Sequence, residues 1–279
     1  KSRASSTKTT AKQALAKGND IRPQYLKTQS ELKEIDADLM TGNGNFREQI
    51  KLRRQKKAEL KAFRQELHQL IYASKPGKFK VKKRIRFKEA EKAYKADIDT
   101  GISFMRNTIG EGVMDDINLD VKRAKNRASY LKKEIKIPDT FNAEKNISTV
   151  IHETAHWFEE QADGVLDKAV AFWERRTKGE QFARLRDVTP FDYSPLELTK
   201  VDDFSNPYIG KVYYKNPRYK GQSWSKPGGV PGSPPDVVNA TELISMGLEQ
   251  FYFDPLKLME DEDYFKFIWD VVKNVKRKT

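Results

Sequence analysis

The 279-residue chain contains three histidines, and two of them stand four apart in Val150-Ile-His-Glu-Thr-Ala-His-Trp-Phe158. The pattern is His152-Glu153-x-x-His156. On a helix, positions i and i+4 share one face and lie about 6 Å apart. Two neutral imidazoles so placed can bind one Zn2+ at about 2.0–2.1 Å. Glu153 projects beside them, near enough to reach a water on the metal without ligating the metal itself. Zinc lowers the pKa of water toward neutrality, and a neighbouring carboxylate takes the proton as hydroxide attacks a carbonyl. At this composition roughly a few random sequences in a thousand would contain the pattern. The chain has no Cys, so thiolate nucleophiles, Cys-ligated zinc and iron–sulfur clusters are excluded. Any metal must be held by His and carboxylates.

The segment resembles the active-site helix of the zincin metallopeptidases, and the resemblance covers about residues 100–270. It implies an α+β fold: a zincin-like core with an active-site helix and a small mixed sheet. It also implies peptide hydrolysis without a covalent intermediate, with Zn2+ as cofactor, Glu153 as general base and a third protein ligand. A metzincin would place a His six residues after His156, but position 162 is Ala. A gluzincin-like glutamate from a later helix is implied instead. Glu242, in Asn239-Ala-Thr-Glu-Leu-Ile-Ser-Met-Gly-Leu-Glu-Gln-Phe-Tyr252, is the candidate. Glu249, seven residues on and on the same helical face, is its competitor. Ser245 is a candidate to orient His152 or His156 through the free ring nitrogen. Such sites use a Tyr or His to stabilise the oxyanion. His68 lies far upstream, which leaves Tyr208, Tyr213 and Tyr214 as candidates.

A basic helical region, then H-E-T-A-H-W-F-E-E, then A-T-E-L-I-S-M-G-L-E-Q-F-Y is similar to metallopeptidase-like domains of phage minor head proteins of the Mu F type. That similarity implies a phage- or mobile-element-encoded protein, borne in the virion or acting in the host cytoplasm. Its substrate would be a protein or peptide.

The elements that must position these residues follow from patterning. Residues 1–20 are small, polar and basic, and read as a flexible arm. A helix is expected from Arg22 to Leu39, and Thr41–Asn45 breaks it. Leu60, Phe63, Leu67, Leu70 and Ile71 form one apolar stripe of a second helix, making a helical hairpin. Residues 79–87 alternate as a strand with one positive face. A helix from Glu89 to Ile109 and strands at 117–121, 127–131 and 134–137 lead into the motif helix, with Asn146 or Ser148 as its cap. Helices follow at 166–182, 239–253 and 263–275, separated by a loop-rich stretch at 187–220 and a Pro/Gly-rich loop at 222–236. These expectations divide the chain into a basic arm and hairpin, 1–76, and a zincin-like domain, 77–279.

The net charge is +13, from 53 basic and 40 acidic residues. Residues 51–88 hold 15 basic and 2 acidic side chains, which matches the entire excess. Such a run is either a solvated helix face or a contact surface for nucleic acid or an acidic protein partner. The second reading supports an alternative function: a structural or packaging protein whose basic segment binds DNA or an acidic partner, with a structural or vestigial zinc site. The longest apolar runs are far too short to span a bilayer. Residues 1–14 contain no apolar signal-peptide core. Thirty aromatic residues argue that most of the chain folds.

Overall fold

In a computed structural model the described residues are 9–83, 92–122, 128–131, 134–138, 142–195, 197–214 and 238–276. The architecture is mixed helix and sheet, broadly α+β. The chain divides into two compact units: 1–72 with 250–266, and 73–249 with 267–279.

The first unit is built on a helical hairpin, α1 (Ala11–Thr41) and α2 (Phe46–Ile71). Helix α1 begins well before Arg22, so residues 11–20 are helical rather than an arm. Thr10 and Gln13 explain the early start: each side chain caps the other's backbone N–H in a reciprocal box. Ala14, Leu15, Gly18 and Ile21 then bury one face. Gly42 at φ 71° closes α1, and Asn45 caps α2. The hairpin is fastened by the Tyr25–Phe63 edge contact at 6.3 Å and by ion pairs Arg53–Asp36 at 2.5 Å and Lys56–Glu31 at 2.7 Å. Against it lies the 250–266 segment. Arg64 donates to the Phe253 carbonyl at 3.2 Å, and Arg22 donates to the Leu256 carbonyl at 3.1 Å.

The second unit holds the sheet, in the order β1-β2-β4-β3: β1 (Val81–Lys83), β2 (Ile117–Lys122), β3 (Ser129–Leu131) and β4 (Glu134–Pro138). β1, β2 and β4 are parallel and β3 is antiparallel, so this four-stranded sheet is mixed. Ile117, Leu119, Ile135 and Ile137 alternate onto its buried face. The expected strand continues to residue 87, but positions 84–91 lie outside the described residues, as does the 222–236 loop. Helix α3 (Lys92–Ile109) packs on α4 (Ala143–Gln161), which carries the motif. The contact is close because position 101 is Gly: a Cβ there would fall 2.9 Å from the Val150 side chain. The cap of α4 is Asn142, accepting from the Lys145 N–H, and neither Asn146 nor Ser148. Both of those lie inside the helix, where Asn146 donates to Asp97 at 3.0 Å and Ser148 to Glu249. Val150, Ile151, Ala155, Trp157 and Phe158 are fully buried, fixing the rotation of α4.

Next come α5 (Val165–Arg176), β5 (Ala183–Arg184), α6 (Leu185–Val188), β6 (Leu198–Thr199) and a 3-10 turn at Pro207–Gly210. Helix α5 stops six residues before the expected end, where Thr177 turns its hydroxyl back onto the Trp173 carbonyl at 2.8 Å. Then β7 (Val212–Tyr214) pairs antiparallel with β8 (Val238–Thr241). Residues 239–241 are therefore strand where helix was expected, because pairing with 212–214 captures them. Helix α7 starts only at Leu243 and runs to Phe253; α8 (Pro255–Leu258) and α9 (Glu262–Lys273) follow. The division between the units falls inside α7, after Glu249, and inside α9, after Lys266.

His68 gives the first unit a pH dependence. It is 5% exposed, and its Nε2 faces the carbonyls of Phe251 at 3.1 Å and Tyr252 at 2.8 Å. Both partners accept, so Nε2 carries the proton of a neutral ring. Burial pushes its pKa down to about 4, against support for the cation from the two carbonyls. The unfolded chain takes up this proton near pH 6.5 and the folded one near 4. The stabilisation is therefore intact above pH 6.5 and is lost as pH falls toward 4. Urea unfolding at pH 7 and pH 4 should show about 3 kcal/mol more acid sensitivity in wild type than in His68→Gln.

Candidate metal centre

Two elements converge on one point. Helix α4 presents His152 and His156 from successive turns, their rings 4.9 Å apart and nearly perpendicular. The β7–β8 ribbon ends at Thr241 and delivers Glu242 in the step between strand and helix. The Glu242 N–H donates to the Lys211 carbonyl at 3.1 Å, and its own carbonyl accepts the first helical bond, from Met246 at 3.0 Å. Its side chain is fully buried. Glu242 Oε2 lies 3.1 Å from His152 Nε2 and 3.3 Å from His156 Nε2. One donor atom from each of the three residues falls within 4.8 Å of the others, so the group could hold a metal ion. Donors bound tetrahedrally at 2.0–2.1 Å stand about 3.3 Å apart, and the two His–Glu242 separations, themselves hydrogen-bond distances, leave the donors close to that spacing. Two imidazole nitrogens and one carboxylate oxygen form a borderline donor set that suits zinc.

The carboxylate is held on every side. Ser245 donates to Oε2 at 2.7 Å and Tyr213 donates to Oε1 at 2.5 Å. Ser245 thus steadies the glutamate, not the imidazoles. The imidazoles have carboxylates of their own. Glu249 Oε2 lies 3.1 Å from His152 Nδ1, the ring nitrogen facing away from Glu242. Glu249 therefore stands behind His152, outside the group that could hold a metal ion, and Ser148 donates to its other oxygen. Glu159 Oε2 is 4.0 Å from His156 Nδ1 and is anchored by the Thr241 N–H at 2.9 Å and hydroxyl at 2.5 Å. Glu249 is within hydrogen-bond reach of His152 Nδ1, and a carboxylate accepting from Nδ1–H fixes the tautomer that leaves Nε2 free to ligate; Glu159, at 4.0 Å, faces His156 only as a nearby charge.

The electrostatics follow from burial with pairing. Burial opposes the charged form of His152, yet Glu242 and Glu249 hold its pKa well above the usual value. Burial opposes the charge on Glu242, and His156 and His152 nevertheless keep its pKa well below the usual carboxylate range. Glu159 is pushed up to about 7 by burial, against His156 and Thr241. Tyr213 is raised by burial and then by the Glu242 charge, so its hydroxyl keeps its proton.

Glu153, one residue from His152 on α4, is 6% exposed. Tyr208 is buried, with its ring 6.5 Å from that of His152. The Tyr214 side chain lies outside the described residues, although its backbone belongs to β7. Sequence reasoning missed Lys211, which is 3% exposed. Its Nζ donates to Glu197 at 2.7 Å, to the Tyr213 hydroxyl at 2.9 Å and to the Tyr208 hydroxyl at 3.4 Å. No local pattern marks Lys211 or Glu197. Glu159, three residues after His156 on the same helical face, could have been found by spacing. Comparison with family models, curated proteins and solved structures returned no match.

The outer carboxylates have a measurable consequence. Glu249→Gln should weaken zinc affinity by about 10–100-fold in a competitive chelator titration while leaving one site per chain. An unchanged affinity would show that Glu249 does not support His152.

Proposed function

We propose that the chain is a zinc-dependent hydrolase of the zincin peptidase class, acting on protein or peptide substrates. The observation that carries this reading is the convergence of His152, His156 and buried Glu242 on one point, with Glu153 on the same helix. Three protein donors, as opposed to four, is the count of a catalytic zinc site.

His152 Nε2, His156 Nε2 and Glu242 Oε2 would hold the ion. When bound, zinc acidifies a water and polarises a carbonyl. Glu153 serves as general base toward the attacking water and returns the proton to the departing amine. Tyr213, kept protonated by the desolvation of its hydroxyl and by the Glu242 charge, would turn its one O–H from Glu242 Oε1 to the substrate's carbonyl oxygen, with Tyr208 beside it. Lys211 holds both phenols in place from behind. Glu249 and Ser245 keep the donor atoms oriented. No Cys is present, and nothing in this reading requires a covalent acyl intermediate.

Glu153→Gln should retain stoichiometric zinc by plasma mass spectrometry and lose about 10²–10⁴-fold in turnover of a degenerate quenched-peptide library. Equal cleavage by wild type and variant would remove Glu153 from the chemistry.

A further inference from the structure

The basic run beginning at residue 51 separates into two populations once α2 is seen. Arg53 and Lys56 turn toward α1 and are engaged with Asp36, Glu31 and Glu59. Arg47, Lys51, Arg54, Lys57 and Lys61 are exposed, and none of the five is ion-paired among the described residues. At 100° per residue these five fall within about 120° of arc, along about 21 Å of axis. The rest of that stripe is Ala58, Gln65 and Gln69, with half-buried Ile50 and buried His68 at one edge and no acidic residue in it. The acids exposed on α2, Glu48 and Glu66, sit on its flank, and Glu66 is held by Lys17 at 2.6 Å.

We propose that this face of α2 is a docking surface for the phosphate backbone of duplex nucleic acid. Charge complementarity favours that partner: a straight row of unpaired cations meets a polymer carrying one charge per about 1.7 Å of axis. A protein interface needs aromatic or aliphatic anchors to bury, and the stripe exposes no aromatic residue and only the half-buried Ile50. A helix lying in a membrane surface needs an apolar face beside its cations, and the exposed Phe46 and Leu52 fall outside the stripe on opposite sides. Without stacking aromatics or a groove-reading motif, the contact is to phosphates and independent of sequence. The surface does not depend on the hydrolase reading.

The test is fluorescence anisotropy of a labelled 30-base-pair random-sequence duplex with the full chain, titrated across 50–200 mM KCl. Five phosphate contacts predict a slope of log K against log salt of about −4.5. Changing Arg47, Lys51, Arg54, Lys57 and Lys61 together to Gln should abolish that slope and weaken binding at least 100-fold. Removing five exposed lysines elsewhere (Lys12, Lys33, Lys145, Lys168 and Lys178) should cost less than 10-fold. Circular dichroism establishes that both variants are folded, and zinc content reads the metal site separately. Equal losses in the two variants would show generalised charge attraction and overturn the proposal. Displacement of the duplex by polyglutamate at equal charge concentration would overturn it in favour of an acidic protein partner.

Discussion

A carboxylate with no solvent exposure must be answered by partners or it will not stay ionised, and Glu242 is that group here. Its two oxygens take a hydroxyl from Ser245, a phenol from Tyr213 and the facing nitrogens of two histidines. Burial alone would neutralise the acid; the imidazoles reverse that and keep it charged. Removing any one partner leaves charge or hydrogen-bonding capacity uncompensated in a dry interior, where the penalty is largest. The surrounding structure is organised to keep those partners in register.

Two elements share the work. Helix α4 is held by fully buried Val150, Ile151, Trp157 and Phe158 and by the Gly101 approach of α3, which fixes the face that carries both histidines. The β7–β8 ribbon fixes Tyr213 and Glu242 through a short antiparallel register, Val212 opposite Thr241 and Tyr213 opposite Ala240. Glu159 ties the two together. Its carboxylate holds the end of β8 through Thr241 while it faces the His156 ring. The outer carboxylates, the buried Lys211 and the phenols thus form one connected polar network around the donors.

Much of the centre was legible in the chain because its chemistry is local. His152, Glu153 and His156 lie within one and a half helical turns, where 3.6-residue periodicity sets geometry directly. Glu242 was reachable only through a resemblance, and its setting was misjudged: residues 238–241 pair as a strand, a long-range choice that residue patterning does not reveal. Glu249 shares a helical face with Glu242, so spacing could not say which would face both histidines and which would stand behind His152. Lys211 and Glu197 had no local signature, since a buried lysine is recognisable only by the groups that surround it. In the first unit, the apolar stripe of α2 foretold the hairpin. The early start of α1 rests on a reciprocal cap between Thr10 and Gln13, a signal easily overlooked inside a basic, small-residue stretch.

Zinc K-edge X-ray absorption of the loaded protein bears most directly on the convergence of His152, His156 and Glu242. The account predicts a first shell of nitrogen and oxygen at about 2.0–2.1 Å, with outer-shell scattering from two imidazoles. In Glu242→Ala the imidazole scattering should persist while the first shell loses an oxygen or exchanges it for solvent, with a weaker affinity. A wild-type spectrum without paired imidazole scattering, or a Glu242→Ala protein with unchanged spectrum and affinity, would contradict it.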